Sequence, residues 1–239
     1  MQSLFHEEWS RMFGTTQGSA DALTYNPTKV FLGFPFPSQG KLVCDLSKEF
    51  SNKRGILLEK MGFGPTAAYG SLHQPSEAGL DISAFRDLHD CANKAVAYAY
   101  GWSDLSTSCG FGLDYLDLED DIQLPDGLQE RIDDCNLFFW DAGDALDFQG
   151  QLQAYGAITG RRKLPWRYRW PDVVRDDVLA RLLALNAERY AEEVAMGLHS
   201  KGAKKAFKAK SNGRTKKTGS GSSEFQLTSE PYQAGLKLF

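Results

Sequence analysis

Asp81-Ile82-Ser83-Ala84-Phe85-Arg86-Asp87-Leu88-His89-Asp90-Cys91-Ala92-Asn93-Lys94-Ala95-Val96-Ala97-Tyr98-Ala99-Tyr100-Gly101 is the stretch that decides the fold class. Phe85, Leu88, Ala92, Ala95, Val96 and Ala99 recur at intervals of three or four, so a 3.6-residue turn gathers them into one apolar stripe. Asp81 stands where a helix N-cap belongs, and Gly101 can close the helix in a left-handed conformation. The small Ala92, Ala95 and Ala99 let a second helix or an extended strap approach closely.

Working outward, the other periodic segments are helical too. Leu46, Phe50, Leu57, Leu58 and Met61 predict a helix over 42–61 despite Gly55, and Gly62-Phe63-Gly64-Pro65 ends it, with a loop expected to Gly79. Short helices are expected over 125–137 and 141–155, the second starting at Asp141 as cap, with the aromatic run Phe138-Phe139-Trp140 between them. Val174, Val178, Leu182, Leu185 and Ala187 to Tyr190 predict the longest helix, from Pro171 or Asp172 to Met196. At the other end, Leu4, Phe5, Trp9 and Phe13 predict a short helix with an aromatic stripe.

Two segments read as non-helical. Leu23 through Pro37 contains Phe34-Pro35-Phe36-Pro37, whose prolines remove two amide donors and impose an extended path, so a strap lying across a surface is expected. Arg161-Arg162-Lys163-Leu164-Pro165-Trp166-Arg167-Tyr168-Arg169-Trp170-Pro171 reads as an irregular aromatic and basic arm. Residues 102–124, with Asp114, Asp117, Glu119, Asp120 and Asp121, read as an acidic surface segment. The expected architecture is mainly α: a helical domain over 41–199, an extended Phe/Pro-rich strap within 1–40, and a disordered basic tail over 200–239.

Composition limits the function classes. Phe, Tyr and Trp number 15, 9 and 5, against 12 Val and Ile together, too few β-branched residues for a doubly covered parallel sheet. No P-loop or dinucleotide fingerprint occurs, and His6, His73, His89 and His199 are scattered, so no catalytic, cofactor-binding or metal-ligating residue is assigned. Cys44, Cys91, Cys109 and Cys135 lack metal-ligand spacing and read as reduced, mostly buried thiols of a cytoplasmic protein. No segment reads as a signal peptide or a membrane span.

The formal net charge of −4 hides a split. Residues 197–239 hold nine Lys or Arg and two Asp or Glu, about +7, leaving 18 against 29, about −11, for 1–196. Two basic features are therefore candidate nucleic-acid contacts. Arg161, Arg162, Lys163, Arg167 and Arg169 interleave with Trp166, Tyr168 and Trp170, offering phosphate donors beside stacking faces. Lys204, Lys205 and Lys208 belong to an acid-free tail stretch that would bind phosphates with strong salt dependence and little sequence preference. A structural alternative for the arm stays open, with its arginines paired to the acidic segment 114–134 and its aromatics pinning it in place.

Three blocks, in order, carry a resemblance. They are His6-Glu7-Glu8-Trp9 leading to Leu23-Thr24-Tyr25-Asn26-Pro27 and Phe34-Pro35-Phe36-Pro37, then Leu88-His89 through Ala97-Tyr98-Ala99-Tyr100-Gly101-Trp102, then Arg181-Leu182-Leu183-Ala184-Leu185-Asn186-Ala187-Glu188-Arg189-Tyr190-Ala191-Glu192-Glu193. The chain resembles the C-terminal region of large adenine-specific DNA methyltransferases of restriction-modification and phage-defence systems, the combined restriction-methylation enzymes among them. The resemblance implies that the strap closes a target-recognition region and that the later helices brace it on double-stranded DNA whose adenine is flipped into a pocket elsewhere. It implies S-adenosylmethionine as cofactor of the complete enzyme, although neither the cofactor loop nor the Asn-Pro-Pro-Tyr-type motif falls on any position here.

The expectation is a noncatalytic DNA-binding and structural part of such an enzyme, truncated or encoded apart, whose partners are double-stranded DNA and an upstream methyltransferase catalytic polypeptide, with no membrane partner. A stand-alone nucleic-acid-binding accessory protein and a protein-interaction module are the alternatives. A split enzyme predicts an unpaired apolar face on residues 4–13 and around Phe34-Phe36; an independent binder predicts that these faces are buried internally.

Overall fold

The computed structural model describes residues 3–17, 22–38, 40–119, 122–158 and 163–198. The protein is mainly helical: α1 (Leu4–Phe13), α2 (Gly40–Met61), α3 (Pro65–Leu72), α4 (Leu80–Tyr100), α5 (Asp126–Asp133), α6 (Ala142–Ala154) and α7 (Asp172–Ala195). Five short strands complete it: β1 (Thr15–Gln17), β2 (Ala22–Thr24), β3 (Gly110–Leu113), β4 (Phe138–Phe139) and β5 (Trp166–Arg169). By contact the described residues form two compact units, one made of residues up to Glu7 with Pro37–Asp177, the other of Glu8–Phe36 with the residues from Val178 onward.

In the first unit, α4 is the organising helix. Its N-cap is Gly79, which corrects Asp81 as the expected cap: Asp81 lies in the first turn, where its carboxylate meets the positive helix end and pairs with Lys60 Nζ of α2 at 2.5 Å. Gly101 closes it at φ 78° and donates its N–H back to Ala97 and Tyr98. Phe85 is fully buried with Ala68 and Leu72 of α3, and Leu57, Leu58 and Met61 of α2 pack onto this cluster. Burying a phenylalanine side chain this completely stabilises by about 1.5–3 kcal/mol. Helix α3 corrects the loop expected over 62–79. Pro65 at its first position and Gly64 before it are helix-start signals, but only Ala68 and Leu72 are buried, too few apolar residues to show a period.

The second core of this unit lies under a three-stranded antiparallel sheet of order β4-β3-β5. Phe111, Leu113, Leu128, Phe139, Ala145, Phe148, Leu152, Ile158, Leu164 and Trp166 fill it, drawn from the sheet, α5, α6 and the chain after α6. Helix α6 begins as expected, with Asp141 accepting from the Gly143 N–H at 2.6 Å. Within the stretch 102–124, expected to be acidic surface only, β3 is buried at all four residues, so this segment also supplies the central strand. The arm expected over 161–170 is likewise a strand from Trp166 to Arg169, in register Gly110↔Arg169, Phe111↔Tyr168, Gly112↔Arg167 and Leu113↔Trp166. Each of these strands holds only four residues, too short a run to outweigh the glycines and charges around it.

In the second unit, β1 and β2 form an antiparallel hairpin, and Pro27–Phe31 makes one turn of π-helix capped by Asn26, whose Oδ1 accepts from the Thr28 and Lys29 N–H groups. The extended path expected from residue 23 is thereby confined to the few residues after Phe34, where Pro35 and Pro37 prevent helix. Trp9, Val30, Phe34, Val178 and Leu182 are its buried side chains. The Trp9 ring packs on Phe13 at 4.4 Å and edge-on against Phe34 at 5.9 Å. Asn186 and Arg189 of α7 hold the strap, donating to the Gly33 and Phe36 carbonyls at 2.6 Å each.

The expected disordered tail over 200–239 lies outside the described residues. Cys44, Cys91 and Cys135 are exposed, which corrects the expectation of mostly buried thiols; only Cys109 is partly covered. No helix among the described residues is long and apolar enough to cross a membrane.

Candidate nucleic-acid interface

Strand β5 alternates, and the alternation decides which arm residues can meet a ligand. Trp166 faces the core, 3% exposed, and its Nε1 donates to Gln149 Oε1 at 2.9 Å. Tyr168 faces α4: its hydroxyl donates to Asp90 Oδ2 at 2.8 Å and its N–H donates to His73 Nδ1 at 3.1 Å. Burial raises the Asp90 carboxyl above its ordinary value, partly offset by that hydroxyl, and burial beside Asp90 pushes the Tyr168 hydroxyl and the Cys109 thiol well up.

The arginines of β5 enter an alternating chain of charges. Arg167 Nη2 pairs with Glu7 of α1, and Arg167 Nε lies 3.8 Å from Asp114. The Arg169 side chain is 7% exposed. Its Nη1 donates to Asp172 at 2.7 Å and to the Trp170 carbonyl at 2.9 Å, and its Nε lies 3.5 Å from Asp114. Arg175 continues the chain to Asp172 at 2.7 Å and Asp176 at 2.9 Å. The guanidinium of Arg169 fits because residue 112 is glycine: a Cβ there would stand 2.6 Å from Nε.

Of the candidate contacts, Lys163 is therefore exposed, Arg167 is half-covered and ion-paired, and Trp166 and Arg169 are inside the fold. Trp166 presents no stacking face, which corrects that part of the candidate set; the strand's two-residue alternation turns it into the core. Arg161, Arg162, Lys204, Lys205 and Lys208 lie outside the described residues.

Neighbouring residues show how tightly this region is built. Arg86 of α4 donates to the Leu72, Gln74 and Glu77 carbonyls at 3.0, 2.7 and 2.9 Å, while its guanidinium covers the Phe111 ring at 4.9 Å and the Tyr168 ring at 5.6 Å. Phe5 packs with Tyr100, Trp102 and Trp170, and the Leu4 N–H donates to Asn93 Oδ1 at 2.9 Å. His89 sits among the rings of Phe50, Tyr69 and Phe85, and burial pushes its pKa down to about 4. None of Arg86, Asn93, Gly112 or His73 was singled out from sequence as a site residue; the glycine alternation Gly110-Phe111-Gly112 is the signal that could have marked a strand approached closely by another chain segment.

The apolar faces named as discriminating are covered. Phe5 and Trp9 are fully buried, Leu4 and Phe34 nearly so, and Met12 is the exposed large residue of α1. Among the described residues, no three or more His, Cys, Asp or Glu side chains gather so as to hold a metal ion. Compared with protein-family models, with curated proteins and with solved structures, the chain has no match.

Proposed function

We propose that the chain is a noncatalytic DNA-binding and bracing module of an adenine-specific DNA methyltransferase system. One observation carries the reading: the first and third residue blocks behind the resemblance are packing partners. Asn186 and Arg189 of the third block grip the carbonyls of Gly33 and Phe36 on either side of Phe34-Pro35 in the first. The aromatic end of the second block, Tyr100 and Trp102, packs on Phe5 beside the first. The third block thus holds the strap of the first, which is what a brace requires.

In this reading, phosphate contact falls to Lys163, Arg161, Arg162 and the lysines of 201–217, while Arg167 and Arg169 hold the sheet. A second reading, an accessory protein that binds nucleic acid without a catalytic partner, is favoured by the burial of Phe5, Trp9 and Phe34, since an open enzyme interface would leave such rings exposed. The two part on one experiment. The purified chain is mixed with the product of the adjacent upstream gene, and methyl transfer from labelled S-adenosylmethionine to DNA is measured against each component alone. Activity only in the mixture supports the module; association without activity, or no association, supports the accessory protein. Methyl transfer by this chain alone overturns both.

A further inference from the structure

Net charge is concentrated far more sharply than the halves of the chain suggest. Residues 114–147 hold twelve Asp or Glu and one Arg, net −11, which equals the net charge of the whole 1–196 body; outside this stretch the body is neutral. The apolar residues of the same stretch, Leu128 and Phe148 among them, turn into the core. Asp126, Glu130, Asp133, Asp134, Asp144 and Asp147 stay exposed. Among the described residues, no Lys or Arg forms an ion pair with these six. Between α5 and α6 the face opens into a groove of about 390 Å³ with Leu128 and Phe148 in its floor and Asp144, Asp147 and Gln151 on one wall. The single cation there, Arg131, is folded away: it donates to the Asn136 carbonyl at 2.8 Å and lies over the Phe139 ring at 4.1 Å.

We propose that the α5–α6 groove and its acidic rim dock the chain's own basic segment Lys201–Lys217. An apolar floor under paired carboxylates suits lysine, whose methylene stem lies on Leu128 or Phe148 while its ammonium meets Asp144 or Asp147. The segment holds eight Lys or Arg and no acid, a charge opposite in sign to that of the acidic stretch and comparable in magnitude. It follows Leu198, the last described residue, and 19 residues reach from there to Lys217, roughly 60 Å when extended. A weak, multivalent, screened contact is expected, one that DNA phosphates can displace. The docking does not depend on the chain binding DNA.

Zero-length carbodiimide cross-linking of the full chain tests it, because the reagent joins only lysines and carboxylates already in contact. At low salt, most cross-links from Lys201–Lys217 should end on Asp126, Glu130, Asp144 or Asp147, within one copy, and their yield should fall at least five-fold in 0.5 M NaCl. The Asp144→Asn/Asp147→Asn variant should lose at least half of them; if it fails to fold, the salt series on the unaltered chain decides. Cross-links spread evenly over exposed carboxylates outside the groove such as Asp45 and Glu49, or joining isotopically distinct copies, would overturn the proposal.

Discussion

Gly112→Ala is the substitution that most sharply tests how this sheet is built. The new Cβ would lie 2.6, 2.7 and 2.9 Å from Nε, Cζ and Nη2 of Arg169, well inside van der Waals contact. The guanidinium has little room to retreat, because Nη1 is tied to Asp172 at 2.7 Å and to the Trp170 carbonyl at 2.9 Å. Leaving those partners forfeits hydrogen bonds of a charged group, each about 1.5–3 kcal/mol. Shifting the strands instead costs about 1–3 kcal/mol, as overpacking does. The expected loss is therefore about 2–4 kcal/mol, or roughly 4–16 °C in Tm. Urea unfolding followed by tryptophan fluorescence measures it, since Trp166 and Trp170 flank the site. The same substitution in an Arg169→Met background should cost less than about 1 kcal/mol, because the flexible thioether can yield. A loss below about 0.5 kcal/mol, or an equal loss in both backgrounds, would refute the reasoning that glycine is there to admit Arg169.

Four further outcomes follow from the same structure. Asn93→Ala should leave the Leu4 N–H without its buried acceptor and cost about 1–3 kcal/mol, with faster hydrogen exchange across α1 as the readout. Arg86→Lys should loosen residues 71–77, because one ammonium cannot reach carbonyls that the planar fork spans; limited proteolysis should cut there several-fold faster than in the unaltered chain. Gly55→Ala, exposed within α2 and with nothing within 4 Å of the added Cβ, should stabilise by about 0.5–1 kcal/mol in the same urea assay. His6 and His89 are both held near pKa 4 by burial, below the ordinary 6.5 of the unfolded chain, so the unfolded state takes up protons first. Their contribution is complete above pH 6.5 and is lost as pH falls toward 4, roughly 1–3 kcal/mol per histidine, and His89→Phe should flatten that part of the stability profile.

The helices that bury a broad stripe were legible from sequence. Phe85, Leu88 and Ala92 mark α4, and Val174, Val178 and Leu182 mark α7, because a long amphipathic helix repeats its signal over several turns. Short elements were not. Helix α3 has two buried residues, and β3 and β5 have four residues each, less than the length over which a period can be counted. The arm stayed ambiguous for a further reason: arginine and tryptophan side by side carry the composition of a phosphate and base contact, yet the same pair suits a strand whose tryptophan enters the core and whose arginines meet carboxylates such as Asp114, the alternative left open from sequence. Glu7 and Asp114 lie 160 and 53 residues from Arg167 and Asp172 lies 3 from Arg169, and sequence spacing cannot bring the first two together with their arginine.

The central proposal is that the chain binds DNA through the cations of 201–217 rather than through β5 and performs no methyl transfer itself. It is tested most directly by fluorescence anisotropy of a DNA duplex titrated with the full chain at several salt concentrations. The account predicts a log–log slope of about −4 to −7 from the eight cations of 201–217 and their neighbours, as each phosphate contact contributes about −0.9. Replacing those cations with Gln should flatten it, whereas Arg167→Gln should weaken the fold and leave the slope in place. No binding at low salt, or a slope that the Gln replacements leave unchanged, would contradict it.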